Sequence, residues 1–424
     1  TRSMVCRILI GLSPLDGGFG CYDTPLAGRS RPFRARLFHP LADALQRHVS
    51  VYNGYIPQWA IESPQPSGEA RPSWYQQQPD SLVSTVTISR GLTAMLENTV
   101  VIFPQCGQPE QVLELNPAPV REPLAGEVQV RMLAAPINPA DINFVQGVYG
   151  LKPEFPDPHV GLEGCGVVEV SRSPAFLPGD RVILLQGIGT WARYLTGAAD
   201  QFLKLKVNLD PAQAAMLKIN PPTAYRLLTG YRELQKGDWL VQNAANSGVG
   251  RCVIQIARQL GFKTINFVRG ADRWAEELRT LGADRVVGED DPHGVKRVLE
   301  DLKEERPLLG LNAVGGESAT RLMQVLGSGG TLVTYGAMSK QSVKVPNSFF
   351  IFKGLELKGL WITAWLNQQP PADIEQLYDR LAGWMASGGL QQAIDSDYPL
   401  AQVKAAVTRA QEEHRNGKVM LRLD

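Results

Sequence analysis

The sequence predicts an α/β protein: a doubly wound parallel sheet preceded by a β-rich, barrel-like domain. Three observations predict it. From residue 221 onward, short apolar strands alternate with amphipathic helical stretches. The run "QNAANSGVG" (242–250) closes the first of those strands with a glycine turn and opens a helix. From Thr99 to about residue 215 the chain instead carries short strands punctuated by Gly and Pro.

Residues 1–94 show no regular period and are rich in Pro, Ser, Gly and Gln. The stretch 28–49 holds five arginines and one acid, and the first lysine of the chain is Lys152. That composition suits a poorly ordered extension serving as an organelle transit segment; a plain disordered tail and an over-long reading frame whose true start is Met95 are the competing explanations. Residues 95–215 follow as the β-rich domain, with "TVVIFPQCG", "VLELNPAP", "GEVQVRMLAAPIN", "CGVVEV" and "GDRVILL" as strands. Residues 216–366 are the doubly wound domain. Its strands "DWLVQNA", "KTINFVR", "DRVVG", "LLGLNAVG" and "TLVTYG" are separated by helical runs, and "LELKGLWITAW" is expected as the last strand. Residues 367–424 begin with an amphipathic helix, "ADIEQLYDRLAGWMASG". They end in "QEEHRNGKVMLRL", expected as a helix leading into a strand that rejoins the β-rich domain.

Composition excludes several classes of partner. The chain has 43 basic and 42 acidic side chains, so nothing argues for nucleic acid or an anionic membrane. No apolar run approaches the ~18–20 residues of a membrane span. The five cysteines form no CxxC pair and no zinc-spaced cluster, which suits free buried thiols.

The turn "NAANSGVG" sits where a dinucleotide loop belongs, after a buried strand and before a helix. Gly248 and Gly250 let the backbone approach a pyrophosphate and the helix approach the strand. The helix N-terminus then offers free N–H groups to the anion. Ser247 replaces a glycine with a small hydroxyl able to donate to a phosphate oxygen. The next strand selects the cofactor. An NAD site expects an acid at its end, yet here stands Arg269, with Arg273 nearby and Asp272 past the strand. A guanidinium suits the 2′-phosphate of NADPH. The plain alternative is a solvated loop arginine.

The order of the two domains, with "INPADINFVQGVYG" (137–150), "GLEG", "PGD.V" and "NSGVG", resembles the medium-chain dehydrogenase/reductase superfamily. Within it, "GTWARY", "NPPTAYRLL", "QNAANSGVGRCVIQIA" and "VTYGAMSK" resemble the mitochondrial trans-2-enoyl-thioester reductases over residues 97–424. The resemblance implies a GroES-like β-barrel domain, a Rossmann-type NADPH domain and a homodimer paired through sheet edges. It also implies reduction of enoyl-CoA or enoyl-acyl-carrier-protein in mitochondrial fatty-acid synthesis. Zinc members of the superfamily place a Cys in the loop matching "NPAD" and a His where Leu162 stands; this chain has neither.

Tyr149 matches the family's catalytic tyrosine, an acid or oxyanion donor; spacing alone would make it a loop aromatic. Asn220 matches a contact to the nicotinamide end, or is a helix cap. Asn246, Ser247, Gly248 and Val249 match the pyrophosphate loop, and Arg269 matches a 2′-phosphate contact, with Arg273 in doubt. Tyr335, Gly336, Ala337 and Met338 match the loop beside the nicotinamide. Leu360, Trp361 and Ile362 match the segment between cofactor and acyl chain, though Trp361 suits core packing almost as well. Lys418 matches a cofactor-contacting lysine, or is a surface lysine. Competing functions are a quinone or enone reductase of the same superfamily, and a non-catalytic NADPH-binding protein.

Overall fold

The computed structural model describes residues 97–423. The expectations for residues 1–94, including the transit segment, lie outside the described residues, as do Cys6 and Cys21.

Strands β1 (Glu97–Ile102) and β2 (Glu114–Pro119) form an antiparallel hairpin. Bridges from Val100 to Ala192 and from Ile102 to His159 tie it to the next sheet. That sheet contains β3 (Glu127–Pro136), β4 (Cys165–Ser171), β5 (Arg181–Leu184), β6 (Tyr194–Ala198) and β7 (Phe202–Lys204), paired antiparallel. Val128, Val130 and Met132 alternate inward along β3 and pack in a core with Phe103 and Trp191. After β3, Asn138 starts the helix α1 (Pro139–Val145) with a capping box: Asp141 accepts the Asn138 backbone N–H in return.

Helix α2 (Asn220–Thr229) leads into the parallel sheet of β8 (Trp239–Gln242), β9 (Lys263–Val268), β10 (Arg285–Gly288), β11 (Leu309–Asn312), β12 (Thr331–Thr334) and β13 (Glu356–Gly359). The spatial order is β10-β9-β8-β11-β12-β13. Helices α3 (Gly248–Leu260), α4 (Ala271–Leu281), α5 (Gly294–Leu302) and α6 (Gly316–Val325) make the first four crossovers. The inner strands read as continuous apolar runs because helices cover both faces. The order reverses between β8 and β11, which opens a crevice at their carboxyl ends, where this fold class binds ligands.

The expected strand "LELKGLWITAW" is only half a strand. β13 runs beside the four residues of β12 and ends when that partner ends. Leu360 makes one more bond to the Thr334 carbonyl, and Trp361 then starts a short helix, α7 (Ile362–Leu366). Helix α8 (Pro371–Ala386) follows, then β14 (Ile394–Pro399), α9 (Val403–Gln411) and β15 (Lys418–Arg422). The helix expected at "QEEHRNG" thus ends at its first residue, and His414 takes a left-handed φ of 62°. β15 does rejoin the β-rich sheet, pairing antiparallel with β3.

One apolar core spans both sheets. Ala134, Cys165 and Ile183 of the antiparallel sheet share a cluster with Leu240 and Leu311 of the parallel one and with Val253 of α3. A fully buried Leu or Val contributes about 1.5–3 kcal/mol, and an exposed ion pair about 0–1. The shared core therefore holds the two sheets together more than surface charges do. Burial pushes the thiols of Cys165 and Cys252 up to about 12, whereas Cys106 is exposed.

Candidate active site

The glycine turn is held from every side. Ala244 takes a left-handed φ of 48°, so the backbone turns there. Ser247 has φ −72°, a conformation any L-residue adopts, so a serine fits without strain. Its hydroxyl oxygen caps α3 by accepting the Gly250 N–H at 3.1 Å, which leaves the Ser247 proton free to donate. The N–H groups of Gly248 and Val249 find no protein acceptor among the described residues. The two glycines serve different contacts. A Cβ on Gly250 would stand 2.6 Å from the Ala244 carbonyl oxygen and 2.7 Å from that of Ala245. A Cβ on Gly248 would stand 2.7 Å from Asn220 Nδ2 and 3.4 Å from Lys418 Cε.

Asn220 and Lys418, 198 positions apart in the chain, thus meet at Gly248. Asn220 is no helix cap: its buried amide donates to Gln392 Oε1 at 2.8 Å. Lys418, at the start of β15, is no surface lysine, because its ammonium donates to Asn138 Oδ1. Arg251, one turn into α3, braces the turn. It donates to the Asn246 carbonyl at 2.9 Å, pairs with Glu277, and reaches Asn416 Oδ1 at 2.6 Å.

Behind Asn138 lies a cluster that the sequence reading missed. Asn138 Nδ2 donates to Glu163 Oε1 at 2.8 Å, and Glu163 Oε2 accepts the Ile219 N–H at 2.9 Å. Asp141 accepts the N–H groups of Asn138 and Leu162. Lys218 donates to the Leu162 carbonyl. Burial raises the Asp141 carboxyl to about 7 and lifts Glu163 as well. It also depresses Lys218 to about 8 and lowers Lys418. The available signal was an acid inside the apolar run "GLEG", next to the residue inspected as a missing metal ligand.

Tyr149 stands in the turn after α1, its N–H bonded to the Asn143 carbonyl at 3.1 Å. The Trp361 indole N–H donates to its hydroxyl oxygen at 3.2 Å, and the rings meet edge to face with centroids 6.3 Å apart. Trp361 is 42% exposed, so it is not a core residue. Leu360 and Ile362 flank it, with Ile362 buried.

The Tyr335 hydroxyl is buried beside Ser247 and finds no hydrogen-bond partner among the described residues; burial raises its pKa. Gly336 packs against the Ala313 backbone, while Ala337 and Met338 are exposed. Arg269 lies at the far end, its side chain 86% exposed and 3.8 Å from the Glu413 carboxylate. Arg273 is engaged elsewhere, stacked on Trp274 and bonded to the His414 carbonyl at 3.0 Å. The structure therefore gathers Asn220, Ser247, Gly248, Tyr335 and Lys418 around one turn. It pairs Tyr149 with Trp361 and leaves Arg269 in solvent.

Two family models match the chain: the alcohol dehydrogenase GroES-like domain over 124–207 and the zinc-binding dehydrogenase over 248–383. A protein of Xenopus tropicalis named mitochondrial enoyl-acyl-carrier-protein reductase is 44% identical over 285 residues, 65% of this chain and 81% of its own length. The structure of the Etr1p complex with NADP and crotonyl-CoA superposes with a TM-score of 0.72 at 30% identity, over 77% of this chain and 100% of that one. The Candida tropicalis mitochondrial 2-enoyl thioester reductase Etr1p/Etr2p heterodimer matches with the same score, identity and coverage.

Proposed function

This chain belongs to the mitochondrial enoyl-acyl-carrier-protein reductase family of medium-chain dehydrogenases/reductases, and we propose how its cleft carries out that family's reaction. It is an NADPH-dependent reductase of the C=C bond in trans-2-enoyl thioesters. The residues present fit that cofactor. The free N–H groups of Gly248 and Val249 and the Ser247 hydroxyl offer donors to a pyrophosphate. The buried Tyr335 hydroxyl offers another, and the solvated Arg269 fork suits a 2′-phosphate. Asn220, Asn246, Gly336, Ala337, Met338, Leu360, Ile362 and Lys418 complete the proposed contact surface. Bound there, NADPH supplies the hydride taken up at Cβ of the enoyl thioester.

The protein's own part is the proton. The observation that carries this reading is the bond from Trp361 Nε1–H to the Tyr149 oxygen. With one lone pair so engaged, Tyr149 keeps its own O–H for the substrate. It donates to the thioester oxygen as negative charge develops there, or to Cα. Turnover of crotonyl-CoA with NADPH tests the assignment. Tyr149→Phe is expected to lower kcat about 100-fold and to leave the NADPH Kd unchanged. Quinone turnover by the pure protein with no turnover of any enoyl thioester would overturn it.

We further propose a homodimer and a mitochondrial location. The first rests on the exposed edge strand β13 beside the exposed Phe350, Ile351 and Phe352. The second rests on the arginine-rich stretch 28–49 and the relatives' names. Sedimentation of the pure protein checks the first. Import of a reporter carrying residues 1–94 checks the second.

A further inference from the structure

Two carboxyl groups and two lysines cluster beside the glycine turn: Asp141, Glu163 and Lys218 are buried and Lys418 is half-buried. Opposite charges so placed would be expected to pair directly. None of the four does so among the described residues. Every bond they make runs through an amide or the backbone. Asn138 stands between the two groups nearest the cofactor turn. It faces Lys418 with its carbonyl oxygen and Glu163 with its NH2.

That orientation is locked by chemistry. An ammonium only donates and an ionised carboxylate only accepts, so a flipped Asn138 amide would oppose both neighbours. The backbone is fixed too, since Asp141 accepts the Asn138 N–H at 2.8 Å. Asn138 is the one hydrogen-bond partner of the Lys418 ammonium among the described residues. The lysine therefore keeps N–H donors free, and its Cε lies against Gly248.

We propose that Asn138 and Glu163 are positioning residues. The amide separates the Lys418 ammonium from the Glu163 carboxylate and holds it, free of any direct ion pair, against the turn that receives the anionic cofactor. A direct ion pair would cancel that charge before the cofactor arrives. The inference rests on the assignment of Lys418 as a cofactor contact.

Direct NADPH binding, read by fluorescence titration, tests both, with kcat measured alongside. Lys418→Met is expected to weaken NADPH binding about tenfold. Asn138→Ala, which lets Lys418 turn to Glu163, is expected to do the same with kcat at saturating NADPH within about threefold. The double variant is expected to bind no more weakly than Lys418→Met alone, because both changes remove one interaction. Asn138→Asp keeps the shape and places a carboxylate on Lys418; it serves if the alanine variant does not fold, and is expected to weaken binding similarly. Unchanged NADPH affinity in Lys418→Met would overturn the contact assignment, and the proposal with it. Weak binding in Lys418→Met, with unchanged affinity in both Asn138 variants or additive losses in the double variant, would overturn the positioning role alone.

Discussion

The two ends of the proposed cofactor site are built in opposite ways. At the glycine turn, backbone packs on backbone, a serine caps the helix, and Asn220 and Lys418 fill the space a Gly248 side chain would need. At the other end Arg269 reaches into solvent, with Glu413 at 3.8 Å as its nearest charged partner. The first end is preorganised and tolerates little change. The second is proposed to contribute charge alone. On the proposed assignment, rigid packing sets where a dinucleotide lies, and an exposed guanidinium then selects which one.

The packed end breaks most easily. Gly250→Val drives a side chain into two backbone carbonyl oxygens that cannot yield. It is expected to abolish NADPH binding and to cost about 1–3 kcal/mol of stability, both readable in one thermal melt with and without cofactor. A variant that binds NADPH normally would show that the turn is looser than its contacts imply.

The open end should respond through affinity alone. Arg269→Ala is expected to weaken NADPH binding about tenfold while leaving NADH binding and the unfolding midpoint unchanged. Equal losses for the two cofactors would place Arg269 outside the 2′-phosphate site.

A pH titration sharpens the contrast in burial. Asp141 has a folded pKa of about 7 against an ordinary 3.8. Between those values the folded chain holds a proton that the unfolded chain has lost. The corresponding stability is full below pH ~4 and is lost as pH rises through ~7, at up to about 1.4 kcal/mol per pH unit. Urea titrations across that window should show a steeper decline for wild type than for Asp141→Asn. Parallel lines would mean that Asp141 is already ionised in the folded protein.

The same contrast governs how much could be read from the chain. The turn was legible because its parts are contiguous: strand, glycines and helix follow one another, and the alternation of strands and helices fixes the sheet class. Tyr149 and Trp361 were each singled out, but not as a pair, since 212 positions separate them. Asn138 and Lys418 lie 280 apart. Glu163 was passed over because a lone acid in an apolar run gives no sign of its partners. Trp361, Ile362 and Thr363 favour strand by propensity, yet β12 ends beside them and leaves no ladder to continue.

The pairing of β15 with β3 also imposes an order in time. Synthesis proceeds at ~5–20 residues per second. The 280 positions between Asn138 and Lys418 therefore put tens of seconds between the emergence of the loop and that of the lysine. A chain halted before Lys418 would carry its glycine turn, its tyrosine and its arginine, yet have no closing strand beside Asn138. The site thus reports on the completeness of its own chain, and a truncated product is expected to be inert rather than half-active.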